Sequence, residues 1–69
     1  MSPDRLVYMA NQIATFFASQ PREDQPARVE AHLRDFWDPR MRDQLLAIAA
    51  AGRPDLHPLV AAAVDRLRA

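Results

Sequence analysis

The chain of 69 residues has few side chains that could carry out catalysis or bind a metal ion. It has no Cys, and its two histidines, His32 and His57, show no His-Glu-x-x-His spacing. The serines Ser2 and Ser19 lie at predicted helix ends, where a hydroxyl is explained by capping or helix termination. One Gly cannot form a glycine-rich phosphate loop. We therefore expect no catalytic, cofactor, metal or nucleotide site in this chain.

The charges are balanced, with nine basic residues, all of them Arg, against nine acidic ones and a formal net charge of zero. Binding to nucleic acid or to an anionic membrane surface depends on a positive field, so we expect neither partner. The longest apolar run, residues 45–51, is far shorter than the ~20 residues that span a bilayer. The first residues do not resemble a signal peptide, so the expected location is the cytoplasm.

Prolines mark the elements that would position any site. Four of the six follow a residue that can cap a helix, at Pro3, Pro26, Pro39 and Pro58. Pro suits the first turn of a helix, and Gly52 is suited to end one. The sequence predicts one all-α domain over residues 1–69, a small bundle of about four short helices without a sheet. The predicted helices are residues 3–19, 26–36, 39–51 and 58–68, with connectors at 20–25 and 52–57.

The first predicted helix has an unusually wide apolar arc. At ~100° per residue, one stripe is formed by Leu6, Ala10, Ile13 and Phe17. Further apolar residues flank it on both sides: Val7, Ala14 and Ala18 on one, Met9 and Phe16 on the other. A wide arc indicates burial on two sides, and so small a chain has little surface with which to cover it. Asn11 borders this arc, either exposed or hydrogen-bonded to a partner's backbone.

The remaining helices show narrower faces. On the second helix Phe36 is predicted to face the core and Trp37 to lie at the edge, and on the third Leu46 points away from the core stripe. The adjacent aromatic pairs at 16–17 and 36–37 point ~100° apart. Two interpretations stay open: both members of each pair reach the core, or one member anchors a partner.

Residues 34–42 place three arginines around two aromatic residues and two acidic ones. Arg is suited to bidentate pairing with carboxylates and to stacking on rings. The segment is either a pair of solvated helix ends with local ion pairs or a recognition corner for another protein. The candidate partner-binding residues of the chain are Met9, Asn11, Phe16, Arg34, Trp37, Arg40, Arg42 and Leu46.

Three segments, residues 6–17, 32–42 and 56–64, resemble a known family when taken together. The runs Met-Ala-Asn-Gln-Ile-Ala and Phe-Trp-Asp-Pro-Arg-Met are the most specific. The chain resembles, over nearly its whole length, the delta subunit of bacterial cytosolic NAD-dependent, molybdenum-containing formate dehydrogenase. His57 departs from the family pattern, which more often has an acidic residue there, and this departure concerns a helix cap.

The resemblance implies a non-catalytic accessory subunit that carries no cofactor itself. In that family the large alpha subunit holds the bis-molybdopterin guanine dinucleotide and iron–sulfur clusters, and other subunits carry FMN and the NAD site. The implied role is docking on the alpha subunit in support of assembly, stability and activity. Two alternatives remain: a transient chaperone for molybdenum cofactor insertion, and, in a different class, a small helical DNA-binding regulator.

Overall fold

The computed structural model describes residues 1–20 and 24–69. Its four helices are α1 (Pro3–Ala18), α2 (Gln25–Phe36), α3 (Pro39–Ala51) and α4 (Pro58–Arg68). No strand occurs in these two ranges, so the predicted all-α bundle is confirmed. The predicted ranges of the last two helices agree, and those of the first two differ by one residue at one end. Within the predicted connector 20–25, residues 21–23 lie outside the described residues.

Prolines, N-cap residues and one glycine explain where the helices begin and end. Every helix has a Pro in its first turn. Three N-caps accept a backbone hydrogen bond: Ser2 from Arg5 N–H (3.2 Å), Asp38 from Met41 N–H (2.9 Å) and His57 from Leu59 N–H (3.0 Å). Gly52, at φ +92°, ends α3 in a conformation that L side chains rarely adopt. His57 is therefore a working cap.

The core lies where α1 and α4 meet the other helices. α1 packs against all three other helices, and the most extensive contact between two helices is that of α2 with α4. The buried core cluster consists of Leu6, Ala10, Ala14, Val29, Leu33, Trp37, Leu45, Val60, Ala63 and Val64. None of the described helices combines the length and the apolar character that crossing a bilayer requires.

The burial of Phe36 and Trp37 is the reverse of the prediction. Trp37 is only 6% exposed and belongs to the core, whereas Phe36 is 75% exposed. The prediction extended helical geometry to Trp37, but α2 ends at Phe36 and Trp37 has extended backbone angles (φ −90°, ψ 137°). The indole is therefore turned away from its helical direction and into the bundle.

The bundle itself covers most of the wide apolar arc of α1. Val7 and Ala14 are buried, and Ile13 packs half-buried against the core. Phe16, in the last turn, remains 59% exposed. The expected surplus of apolar surface is thus confined to part of the helix.

Candidate partner-binding surface

Four rings form a continuous row across α1 and α2. Phe16 contacts Phe17 edge-on at 5.3 Å between ring centroids, Phe17 contacts His32 at 6.1 Å, and His32 contacts Phe36 at 4.7 Å. These spacings are typical of interacting aromatic pairs. We call these four residues the aromatic row. Its two ends, Phe16 and Phe36, are exposed, so the row presents aromatic surface to solvent.

Helix geometry and one glutamine position the row. His32 and Phe36 are four residues apart and so lie on the same face of α2. At the start of α2, Gln25 donates from Nε2 to the carbonyls of Phe17 (3.0 Å) and Gln20 (2.9 Å). Phe17 lies in the last turn of α1, where backbone acceptors lack helical partners, and Gln20 follows the C-cap of that helix. The side chain of Gln25 thus ties the end of α1 to the start of α2.

A shallow groove of about 260 Å³ lies beside the aromatic row. Its walls come from α1 and α2 and are Gln12, Ile13, Phe16, Phe17 and His32. The lining is mostly carbon. Grooves of this kind accept the anchoring side chains that dominate protein interfaces.

The exposed side of α1 next to the groove has no charged side chain after the first turn, where Arg5 lies three residues before Tyr8. In the sequence no Asp, Glu, Lys or Arg occurs between Arg5 and Arg22. The exposed residues of this stretch that share one side of α1 or its C-cap are Tyr8, Gln12, Thr15, Phe16 and Ser19. We call these five residues the uncharged face. Depletion of charge together with exposed aromatic residues is characteristic of the centre of a protein interface.

Several polar groups of the uncharged face have partners within the chain. Gln12 Nε2 donates to the Tyr8 hydroxyl (2.9 Å), and the hydroxyl of Thr15 donates to the carbonyl of Asn11 (2.8 Å). Ser19 Oγ donates to the carbonyl of Phe16 (2.7 Å). Tyr8 and the groove were not among the residues and sites predicted from the sequence. The charge-free stretch would have pointed to Tyr8, but the groove depends on how α1 and α2 pack.

Asn11 connects α1 to the segment between α3 and α4. Its Nδ2 donates to the carbonyl of Asp55 (2.9 Å), and its Oδ1 accepts from the backbone N–H of His57 (2.8 Å). The side chain is half-buried, so the expected free exposure is not observed. Its amide already has partners in the isolated chain.

Three other candidate residues pack against the bundle. Trp37 lies in the core, and Met9 and Leu46 are half-buried against it. Leu46 was expected to point away from the core stripe. α3 packs against both α1 and α4, so more of its circumference is covered than one narrow stripe.

The arginines of residues 34–42 are distributed over the junction of α2 and α3. Arg34 Nε donates to Glu30 (2.9 Å), and Arg42 Nη1 donates to the carbonyl of Arg34 (3.0 Å). The structure therefore brings Arg34 and Arg42 together. Arg40 is exposed and forms no ion pair with any described residue. Local pairing thus accounts for two of the three arginines.

Ion pairs join the elements elsewhere. Glu30 accepts hydrogen bonds from Arg66 of α4 (2.7 Å) and from Arg34, and both lower the pKa of its carboxyl group. Within the segment between α3 and α4, Arg53 pairs with Asp55 (2.8 Å). This hydrogen bond lowers the pKa of the Asp55 carboxyl group. In the part of the chain that the structure describes, no group of three or more His, Cys, Asp or Glu residues could hold a metal ion.

Comparison with known protein families gave a match over most of the chain. The family described as NADH-dependant formate dehydrogenase delta subunit FdsD matches residues 5–64. These residues include the aromatic row, the groove and the uncharged face. A search of curated proteins and a search of solved structures each found no match.

Proposed function

Because the chain belongs to the family of delta subunits of NADH-dependent formate dehydrogenase, we propose that it is a non-catalytic accessory subunit that docks on its partners and supports their active assembly. Its partners are the other subunits of the formate dehydrogenase complex. In this proposal the main contact is the large molybdenum-containing subunit, in the cytoplasm. Formate oxidation, the bis-molybdopterin guanine dinucleotide, the iron–sulfur clusters and FMN belong to those partners.

One observation supports docking most directly: large aromatic side chains are exposed on α1 and at the end of α2. Tyr8 is 60% exposed, and Phe16 and Phe36 are exposed to a similar or greater degree. Buried aromatic residues supply much of the affinity of protein interfaces. Covering these three side chains on assembly would remove apolar surface from water, which favours binding.

The residues proposed from the sequence divide between two roles at this interface. Phe16 and Arg40 are exposed and would contact the partner directly. The others pack against the bundle or form local hydrogen bonds. They would support the contact surface from inside the bundle or lie at its margin: Met9, Asn11, Arg34, Trp37, Arg42 and Leu46.

The test compares the complex purified with this chain and without it. We expect the complex lacking the chain to show lower formate-dependent NAD reduction or faster inactivation on heating, and added chain to restore both. Full activity and normal heat resistance without the chain would refute the proposal. Mass analysis of the mature complex then separates a permanent subunit, present in fixed stoichiometry, from a transient assembly factor.

A further inference from the structure

We propose that the groove beside the aromatic row takes one aromatic or large aliphatic side chain from an uncharged apolar segment of a partner formate dehydrogenase subunit. This inference rests on the docking function proposed above and states the chemistry of the partner. It names the groove lined by Gln12, Ile13, Phe16, Phe17 and His32 as the anchoring point.

The groove has the composition of an anchor site. Ile13 and Phe17 pack against the core from below, so its floor is supported by the bundle. Phe16 forms an exposed wall in edge contact with Phe17. Rings held in this arrangement bury an apolar side chain against a preformed surface, which limits the entropy lost on binding. An inserted side chain would be enclosed by α1 on one side and α2 on the other.

The absence of charge on the neighbouring face restricts the partner. A charged group of the partner buried against Tyr8, Gln12 or Thr15 would lose hydration and find no opposite charge on these residues. Burial of an unpaired charge is strongly unfavourable. An uncharged partner segment avoids this cost, so the face disfavours charged segments, except for an acidic group within reach of Arg5 at the start of α1.

The polar groups on the face strengthen this restriction. The amide of Gln12 and the hydroxyls of Thr15 and Ser19 donate within the chain. A partner that covers them therefore need not supply an acceptor for each of these donors, and an apolar segment can lie over them. The Tyr8 hydroxyl accepts in the bond from Gln12, so its own O–H can still donate to one acceptor at the edge of the partner segment.

A second copy of the chain is a poorer occupant than a larger subunit. The uncharged face belongs to one helix of 16 residues, roughly 24 Å long and roughly 10 Å wide. The footprint of the whole helix, about 240 Å², is an upper bound for this face and is far below the ~800 Å² that each partner buries in a standard interface. A stable interface must therefore extend beyond this face, for example to Phe36 at the end of α2, and a large subunit has more surface than a second 69-residue copy with which to cover both.

Charge substitutions at one exposed position test the inference. The variants are Gln12→Glu, Gln12→Lys and Gln12→Leu, which all have similar helix propensity. Phe16→Ala removes the wall of the groove. Ala47→Glu and Ala47→Lys place the same charges on an exposed position of α3 and serve as the matched control. Each full-length variant is first checked for helicity by circular dichroism and then titrated into the formate dehydrogenase complex purified without this chain.

We expect both charged variants at Gln12 and the Phe16 variant to weaken binding about tenfold or more, as loss of a central contact does. Gln12→Leu and the two Ala47 variants should stay within about threefold of the unmodified chain. If the unmodified chain binds but Gln12→Glu and Gln12→Lys shift affinity in opposite directions, the partner is charged and the inference is wrong. The same conclusion follows if Phe16→Ala binds normally.

Two further outcomes are decisive. If the unmodified, folded chain does not bind the complex at all, the docking function fails, and the inference fails with it. If sedimentation shows that the chain alone forms a dimer that Gln12→Glu dissociates, the face belongs to a second copy of the chain. That result would overturn the assignment to a partner subunit and leave the docking function to be judged by the binding titration.

Discussion

Replacing each of two adjacent aromatic residues, Phe36 and Trp37, by Ala should affect a different property. The Trp37 substitution should affect folding, and the Phe36 substitution should affect assembly. Trp37 lies in the core at 6% exposure, and Phe36 is 75% exposed at the end of the aromatic row. We expect Trp37→Ala to destabilise the fold severely. Phe36→Ala should leave the fold intact and weaken docking.

The magnitudes follow from the burial of each side chain. A buried aromatic side chain removes about 150–250 Å² from water, which at about 25 cal/mol per Å² corresponds to about 4–6 kcal/mol. Ala recovers part of this, so truncation of Trp37 should cost about 3–5 kcal/mol. Phe36 buries only about a quarter of its surface, so its truncation should cost about 1 kcal/mol or less. A domain of this size has roughly 3–10 kcal/mol in total.

The assay is urea denaturation followed by far-ultraviolet circular dichroism, which does not depend on the tryptophan that is removed. The free energy of unfolding is compared among the unmodified chain, Phe36→Ala and Trp37→Ala. Trp37→Phe is included because it fills part of the cavity and should give an intermediate loss. Phe36→Ala is also titrated into the complex purified without this chain.

Equal losses of stability at the two positions would contradict the burial of Trp37 and the exposure of Phe36. So would a Trp37→Ala variant within about 1 kcal/mol of the unmodified chain, since truncation of a core aromatic residue costs more. Normal docking by a folded Phe36→Ala variant would remove Phe36 from the proposed interface.

Three other substitutions test the rest of the structure. Asn11→Ala should cost about 1–3 kcal/mol in urea denaturation because it leaves the half-buried His57 N–H unpaired, and unchanged hydrogen exchange at that amide would contradict the contact. Glu30 has a lowered pKa in the folded chain, so its contribution to stability is present above the unfolded-state pKa and is lost as pH falls through the lowered value. Glu30→Gln should therefore reduce stability at neutral pH and flatten the loss of stability below about pH 4.3; an unchanged pH profile would contradict the role of Arg66 and Arg34. Gly52→Ala has open space but an unfavourable φ, and should cost about 1–3 kcal/mol in thermal or urea denaturation, whereas no loss would show that α3 ends differently.

The helices were predictable because their ends depend on neighbouring residues. A capping side chain such as Ser2 or Asp38 reaches a backbone N–H only three residues away, and Pro in the first turn needs no distant partner. The same local reasoning failed at Trp37, because helical angles no longer apply after a helix ends.

The surface was only partly predictable. Phe16 could be selected because a helix places it away from the main apolar stripe of α1. The groove could not, since it requires Phe17 and His32 to meet across two helices. Asn11 was selected for a partner, yet its amide contacts His57, a residue far away in the sequence.

The amino-acid order alone determined the four helices, the lack of charge along α1 after Arg5 and the family resemblance, because each depends on residue types or on contacts a few positions apart. Tertiary packing decided which apolar side chains are covered. It buried Trp37, left Phe36 and Phe16 exposed, and placed rings from two helices side by side. Such contacts depend on the relative placement of whole helices, which no short stretch of residues specifies.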